Sequence, residues 1–396
     1  MSFGFASATE IIFGPGSLKK ALGAARALHA VGSKALVIAG SAQRCLPLTN
    51  QLEEAKIPFV HYTVQGEPST EVADKGAQLA RDEKCDFVVA FGGGSVMDTG
   101  KAIAMLVKNG GQCLDYMEVI GKGQKITKKS LPLIAIATTS GTGSEVTKNA
   151  VMASLKHKQK ASLRSPFMYP TVAVVDPELC LSVPPAVTAA TGMDAFCQCL
   201  EPYTSKLSNP LTDAIAIKGL LHGARAIRKA YTQGNDIEAR TDMALCSLFG
   251  GLSLANSKLG AAHGFAGPLG GLLPQASHGG IIGALLPSCI VTNVLAMQAR
   301  EPSNPAIGKY RDAACTVLGR PDATAGELAT WVAETCQLMK IPPLSAYGLT
   351  DDMIPAAVKA AAGSSSMKGN PIALTTEELT SILTQACTPA LVNAKL

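Results

Sequence analysis

Up to about residue 180, short apolar runs alternate with amphipathic stretches. The runs Lys34 to Gly40, Pro58 to Val64, Asp86 to Ala90, Leu131 to Ala137 and Thr171 to Asp176 are short and rich in β-branched residues, so each predicts a buried strand. Between them, segments such as Thr70 to Glu83 and Ser95 to Leu106 space their apolar residues at the helical period. Alternation of this kind predicts a mostly parallel sheet with helices on both faces and a ligand crevice at the carboxyl ends of the strands. After Pro184-Pro185 the strand signals fade, and alanine- and leucine-rich segments of 3.6-residue period take over. The expected architecture is an α/β domain over residues 1–180 and an all-α domain over residues 181–396, packed closely with a cleft between them. The chain carries no internal repeat, low-complexity tract or long linker.

Composition fits this division. A chain of 396 residues with 47% hydrophobic and 16% charged residues has enough apolar mass for two sizeable cores. Its net charge of +5 is spread along the sequence, which gives no nucleic-acid footprint and a mild attraction for anions. The opening MSFGFASATEIIFGPGS lacks a basic segment followed by an apolar core, and no run of roughly eighteen apolar residues is expected later. A cytoplasmic protein without membrane contact is therefore expected. The eleven cysteines are scattered without a C-x-x-C pair, which suits reduced thiols better than a disulfide framework.

Candidate chemistry begins at Phe91 to Ala102, FGGGSVMDTGKA, just after a predicted strand. Gly92, Gly93 and Gly94 allow a turn that side chains would block and leave backbone amides bare. If Ser95 opens a helix, its N-terminal N–H groups and dipole join them, making a site for phosphate, with Asp98 and Lys101 on the first turns. The spacing is neither G-x-G-x-x-G nor a G-K-[ST] loop. A second glycine-rich segment, Thr138 to Glu145 (TTSGTGSE), follows the run Leu131 to Ala137, about forty-five residues later.

These two segments resemble the GGGS-x-x-D-x-x-K and T-x-GTGSE loops of the iron-containing (group III) alcohol dehydrogenases, whose superfamily includes glycerol dehydrogenase and dehydroquinate synthase. The resemblance extends from IIFGPGSL near the start, through VVDPELCLSVPP, to GNPIALTTEEL near the end. It implies a Rossmann-like first domain in which Thr138, Thr139, Thr142 and Ser144 lie against the pyrophosphate and nicotinamide of a dinucleotide, with Lys160 near the cofactor. Ser140 reads as a loop hydroxyl, and there is no G-x-S-x-G elbow for a catalytic serine.

In the second half, Thr191-Gly192-Met193-Asp194 is expected to open a helix that sets Asp194 and Gln198 on one face, with Glu201 a further turn along. His263 and His278 bracket GFAGPLGGLLPQAS. The resembling family takes its metal ligands from GMDA-x-x-x-H and two later histidines, which implies Asp194, His263 and His278 as ligands of a divalent metal, Fe2+ first and Zn2+, Mn2+ or Ni2+ as alternatives. Gln198 replaces the family's histidine, and an amide oxygen is a weaker donor than imidazole. The His263–His278 interval is also one residue longer than usual. Where the family often carries a proton-relay histidine, four residues after its first later ligand, this chain has Gly267, so no catalytic residue is assigned beyond the metal site. His29, His61, His157 and His222 are expected to be ordinary core or surface residues.

Cofactor choice is read from the end of the run Lys34 to Gly40. An acidic side chain there would hydrogen-bond the ribose and repel a 2′-phosphate; Gly40 and Ser41 leave room, and Arg44 offers positive charge, which favours NADP while NAD stays possible. The expected activity is NAD(P)-dependent interconversion of an alcohol and an aldehyde or ketone, with the small-molecule substrate and a second copy of the chain in a homodimer as partners. The alternatives are a metal-free reductase of the maleylacetate reductase type, a dehydroquinate synthase-like lyase, and a non-catalytic nucleotide-binding protein.

Overall fold

The computed structural model describes residues 2–157 and 159–388. It divides into two compact units, one of Ala6–Thr139 and Gly143–Cys180, the other of Met1–Phe5, Ser140–Thr142 and Leu181–Leu396.

The first unit holds strands β1 (Glu10–Phe13), β2 (Ala35–Ala39), β3 (Phe59–Thr63), β4 (Phe87–Gly92), β5 (Leu133–Ala137), β6 (Asn149–Ser154), β7 (Gln159–Arg164) and β8 (Val172–Val175). Its helices are α1 (Ala21–Ala27), α2 (Leu46–Glu54), α3 (Thr70–Asp82), α4 (Gly94–Asn109) and α5 (Cys113–Tyr116). Six strands form one sheet in the order β1-β8-β5-β4-β2-β3, every neighbouring pair parallel. The central strands read as continuous apolar runs because both faces are covered. Leu36, Ile38, Val88 and Ala90 pack with Ala73, Ala77 and Ile103 of α3 and α4. Their neighbours Val37, Val89, Phe91 and Ile136 pack on the other face, with Leu22, Leu48 and Leu52.

Two features depart from the sequence pattern. The half-buried β1 joins the sheet through β8, pairing Glu10 with Val172, so its partner lies far along the chain. The segment around Lys160, which is not among the expected strands, contributes β7 to an antiparallel hairpin with β6. Only Ala150, Met152 and Leu163 of that hairpin enter the core, too few apolar positions to mark strands.

The second unit contains α6 (Pro185–Thr204), α7 (Pro210–Thr232), α8 (Ile237–Asn256), α9 (Ala261–Leu272), α10 (His278–Arg300), α11 (Ala306–Leu318), α12 (Ala325–Leu338), α13 (Ile354–Ala362) and α14 (Thr376–Ala386). Thr191 does not open a helix. The helix begins at Pro185, because proline at the first helical position has a preset φ and no N–H to lose, so Asp194 lies mid-helix. The expectation of no long apolar segment also fails at α10, whose apolar window has mean hydropathy 1.9 and is 83% buried, the signature of a core helix. Ile281, Leu285, Leu286, Cys289 and Val294 place it in the centre of this unit's core.

Candidate functional site

Parallel pairing sets the carboxyl ends of β2, β4 and β5 side by side, with Ala39 opposite Phe91 and Gly92 opposite Ala137. The glycine loops issue from β4 and β5, and Thr138 N–H donates to the Gly92 carbonyl at 3.0 Å. A Cβ on Gly92 would lie 2.6 Å from the Val96 side chain. One on Gly93 would lie 2.9 Å from Thr139 Oγ1, so glycine is needed there for one loop to nest against the other. Gly93 also caps the 16-residue α4 without any side-chain hydrogen bond. The first-turn N–H groups of α4, at Gly94 and Ser95, have no side-chain cap, the condition under which a helix N-terminus receives an anion.

Asp98 and Lys101 tie the second loop to α4. Asp98 Oδ1 accepts from Ser144 Oγ at 2.6 Å and lies 3.1 Å from Lys101 Nζ, while Oδ2 accepts from Val151 N–H at 2.9 Å. The Lys101 ammonium, 1% exposed, donates to Ser144 O at 3.0 Å, Thr147 Oγ1 at 2.9 Å and Asn149 O. Burial lowers the Lys101 pKa, with Asp98 opposing the shift. Neighbouring Glu145 is also buried, and desolvation pushes its carboxyl up to about 6 against the pull of Lys101. Thr142 falls in the Ser140–Thr142 segment that belongs to the second unit. Lys160 on β7 is ion-paired with Glu67 at 3.0 Å. At the end of β2, Ser41 Oγ accepts from Arg44 N–H at 3.4 Å, and Arg44 Nη1 lies 4.0 Å from where a Gly40 Cβ would stand.

In the helical unit, Asp194 and Gln198 on α6, His263 on the first turn of α9 and His278 at the start of α10 are brought together. Asp194 Oδ1 lies 3.1 Å from His263 Nε2 and 3.9 Å from His278 Nε2, and one ligand atom from each residue lies within 4.8 Å of the others. Gln198 supports Asp194 with a side-chain hydrogen bond, and its own Oε1 is buried without a hydrogen-bond partner. A buried amide oxygen without a partner is costly unless something binds it. The donor set of carboxylate, two imidazoles and an amide oxygen suits a divalent first-row metal.

Burial alone would raise the Asp194 carboxyl, but the His263 hydrogen bond and the nearby imidazoles hold it below its usual value. Burial works against charge on His263, yet Glu201 and Asp194 overcome it and raise the group to about 9. Glu201 Oε2 lies 2.7 Å from His263 Nδ1. The spacing of Glu201 placed it on the Asp194 face of the helix; which group it meets is a tertiary fact that spacing does not contain. His222 pairs instead with Asp242 at 2.7 Å.

The iron-containing alcohol dehydrogenase model matches residues 8–177, and the C-terminal model of the Fe-containing alcohol dehydrogenase family matches residues 188–387. The chain is 34% identical over 370 residues to choline dehydrogenase of Bacillus subtilis, covering 92% of this chain and 90% of that protein. Among solved structures it is similar to a 1,3-propanediol oxidoreductase (TM-score 0.89, 29% identity, 98% of this chain and 100% of that one). It is likewise similar to sulfoacetaldehyde reductase of Bifidobacterium kashiwanohense in complex with NAD+ (TM-score 0.86, 27% identity, 98% and 100% covered). With both units matched by family models and a relative aligned along nearly its full length, the chain belongs to the iron-containing alcohol dehydrogenases, oxidoreductases of alcohols and aldehydes that use a divalent metal and a nicotinamide dinucleotide.

Proposed function

We propose that this enzyme interconverts a small alcohol and its aldehyde or ketone using NADP, with Asp194, Gln198, His263 and His278 holding Fe2+. The observation that carries the proposal is the convergence of Asp194, His263 and His278 donors beside a buried Gln198 oxygen that no protein group satisfies. A divalent metal bound there supplies a Lewis acid for a carbonyl or alkoxide oxygen. Asp194 contributes the anionic donor, kept ionised by the surrounding imidazoles. His263 contributes Nε2 from a nearly closed position, whereas the His278 side chain is 41% exposed and leaves the cluster accessible. Gln198 offers a neutral oxygen, so metal affinity is weaker than a third imidazole would give.

At Gly267 a Cβ would meet nothing within 4 Å, so this position offers open space and no proton-carrying side chain. Without a histidine there, a proton would have to pass through water, a cofactor ribose hydroxyl or another side chain. The dinucleotide is assigned to the ends of β2, β4 and β5, its phosphates to the amides of Gly92, Gly93, Gly94 and Ser95, flanked by Thr138, Thr139 and Thr142. Asp98 and Ser144, hydrogen-bonded to each other at 2.6 Å, are assigned to the same cofactor loop, and Lys160 is assigned beside the cofactor. Support for NADP is the Arg44 guanidinium beside Gly40; the NAD+-bound neighbour favours the other choice. A homodimer and a cytoplasmic location complete the proposal, the first checked by sedimentation.

Elemental analysis and titration calorimetry test the assignment. Wild-type protein is expected to bind one equivalent of Fe2+ per chain, and His263→Ala to lose it while retaining dinucleotide affinity. Stoichiometric metal in His263→Ala would contradict the ligand set.

A further inference from the structure

His263 belongs to two buried polar clusters, one at each ring nitrogen. Nε2 faces Asp194 at 3.1 Å. Nδ1 faces Glu201 Oε2 at 2.7 Å, with Cys197 Sγ 3.6 Å away. Glu201 is as buried as the histidine, its side chain 7% exposed against 5%. Its other oxygen accepts the N–H of Ala262 at 2.7 Å, in the first turn of α9, while Asn370 Oδ1 accepts the N–H of Ala261 at 3.1 Å. Asn370 is itself held by Asn293 and by the Ile372 carbonyl. The turn carrying His263 is thus fixed by two side chains from outside α9, one of which also grips the imidazole.

We propose that Glu201 is a positioning residue for the metal: it accepts the Nδ1–H of His263 and so turns the Nε2 lone pair toward Asp194, Gln198 and His278. This rests on the metal reading above. An ionised carboxylate can only accept, so the 2.7 Å contact puts a proton on Nδ1; a cation that displaces the proton Nε2 shares with Asp194 then meets the Nε2 lone pair. The opposite arrangement, a metal among Cys197, Glu201 and Nδ1, has the right atom types but the wrong surroundings. Glu201 Oε1 is committed to Ala262, and all three residues are buried, whereas the Nε2 cluster reaches solvent through His278. Glu201 thereby joins two tasks: an acceptor at the start of α9 and the orienting partner of a ligand on the same turn.

Glu201→Gln separates these tasks. The amide can keep its oxygen on Ala262 N–H only by pointing its NH2 at Nδ1, which drives the imidazole proton onto Nε2 and blocks ligation. If it turns the other way, the Ala262 donor meets a second donor. Zinc, being diamagnetic, is the probe. In wild-type protein loaded with zinc, 15N NMR of the histidine rings is expected to show His263 coordinated through Nε2 and protonated on Nδ1. Calorimetry is expected to show the zinc Kd of Glu201→Gln raised about 10- to 100-fold, as for other lost orienting partners of metal-bound histidine, with dinucleotide affinity unchanged.

A purely structural cap would lower the melting temperature of Glu201→Gln and leave zinc affinity within about twofold of wild type; that result overturns the inference while the metal reading stands. Coordination through Nδ1 overturns it too, and the wild-type spectrum decides alone if the variant does not fold. A wild-type protein that takes up no zinc or iron overturns the metal reading itself, and this inference with it.

Discussion

Replacing Lys101 with Met keeps the length of a fully buried stem and removes its ammonium. In the structure that group satisfies Ser144 O, Thr147 Oγ1 and Asn149 O and lies 3.1 Å from Asp98 Oδ1. Removing one partner of a buried charge pair costs about 3–5 kcal/mol, chiefly through the charge and acceptors left behind. Two features put this case at the lower end. Lys101 already bears a desolvation penalty, visible in its lowered pKa, and Asp98 keeps the Ser144 hydroxyl and the Val151 N–H as donors. The expected loss is about 3 kcal/mol of unfolding free energy, read from the urea midpoint with an unchanged m-value. The freed groups lie at the end of the second glycine loop and just beyond it. If about 1.4 kcal/mol of the loss reappears as the cost of ordering that loop on the dinucleotide, the dinucleotide Kd rises about tenfold by calorimetry. Metal content should not change. A Lys101→Met protein within about 1 kcal/mol of wild type and with unaltered dinucleotide affinity would refute the view that this buried cation holds the two loops together.

Glu145 has its pKa raised by burial from 4.5 to about 6, so its contribution to stability is intact below about pH 4.5 and lost as pH rises through 6. Glu145→Gln should therefore gain up to about 2 kcal/mol over wild type near neutral pH and almost nothing near pH 4, and equal urea-midpoint differences at both pH values would contradict this. Gly40→Asp has room, the nearest atoms to its Cβ being Val64 O at 3.8 Å and Arg44 Nη1 at 4.0 Å. It should pair with Arg44, repel a 2′-phosphate and shift kcat/KM toward NAD by about tenfold, a difference of about 1.4 kcal/mol; a wild-type preference for NAD in steady-state kinetics would defeat the NADP proposal. Gln198→His should lower the metal Kd in calorimetry, since imidazole replaces an amide oxygen; weaker binding would mean that residue 198 does not face the ion.

The inner strands were legible because burial on both faces leaves a run of apolar residues that no surface element tolerates, as in Val88-Val89-Ala90. β1 and the β6–β7 hairpin were not: β1 is half-buried and pairs with β8 far along the chain, and the hairpin buries too few apolar residues to mark its strands. Composition announced the glycine loops, but only the fold brings Thr139 into the space that a Cβ on Gly93 would need. The same holds for Asp98 and Lys101. Their place on the first turns of α4 follows from spacing, whereas the partners they meet follow from where Ser144 and Asn149 come to rest. Asp194, Gln198 and Glu201 share a face by helical arithmetic alone. That His263 and His278, on two other helices, meet that face is a property of the packed helical unit, and only the resemblance to a family pointed to them beforehand.

The central claim, that a metal held by Asp194, Gln198, His263 and His278 takes part in alcohol–carbonyl interconversion, is tested most directly by stripping the protein with a chelator and following NADPH oxidation against a panel of aldehydes as Fe2+ is returned anaerobically. The account predicts negligible turnover in the stripped protein and activity that rises in proportion to bound iron, levelling at one equivalent per chain. Undiminished turnover in protein shown by elemental analysis to lack metal would contradict it and establish a metal-free reductase.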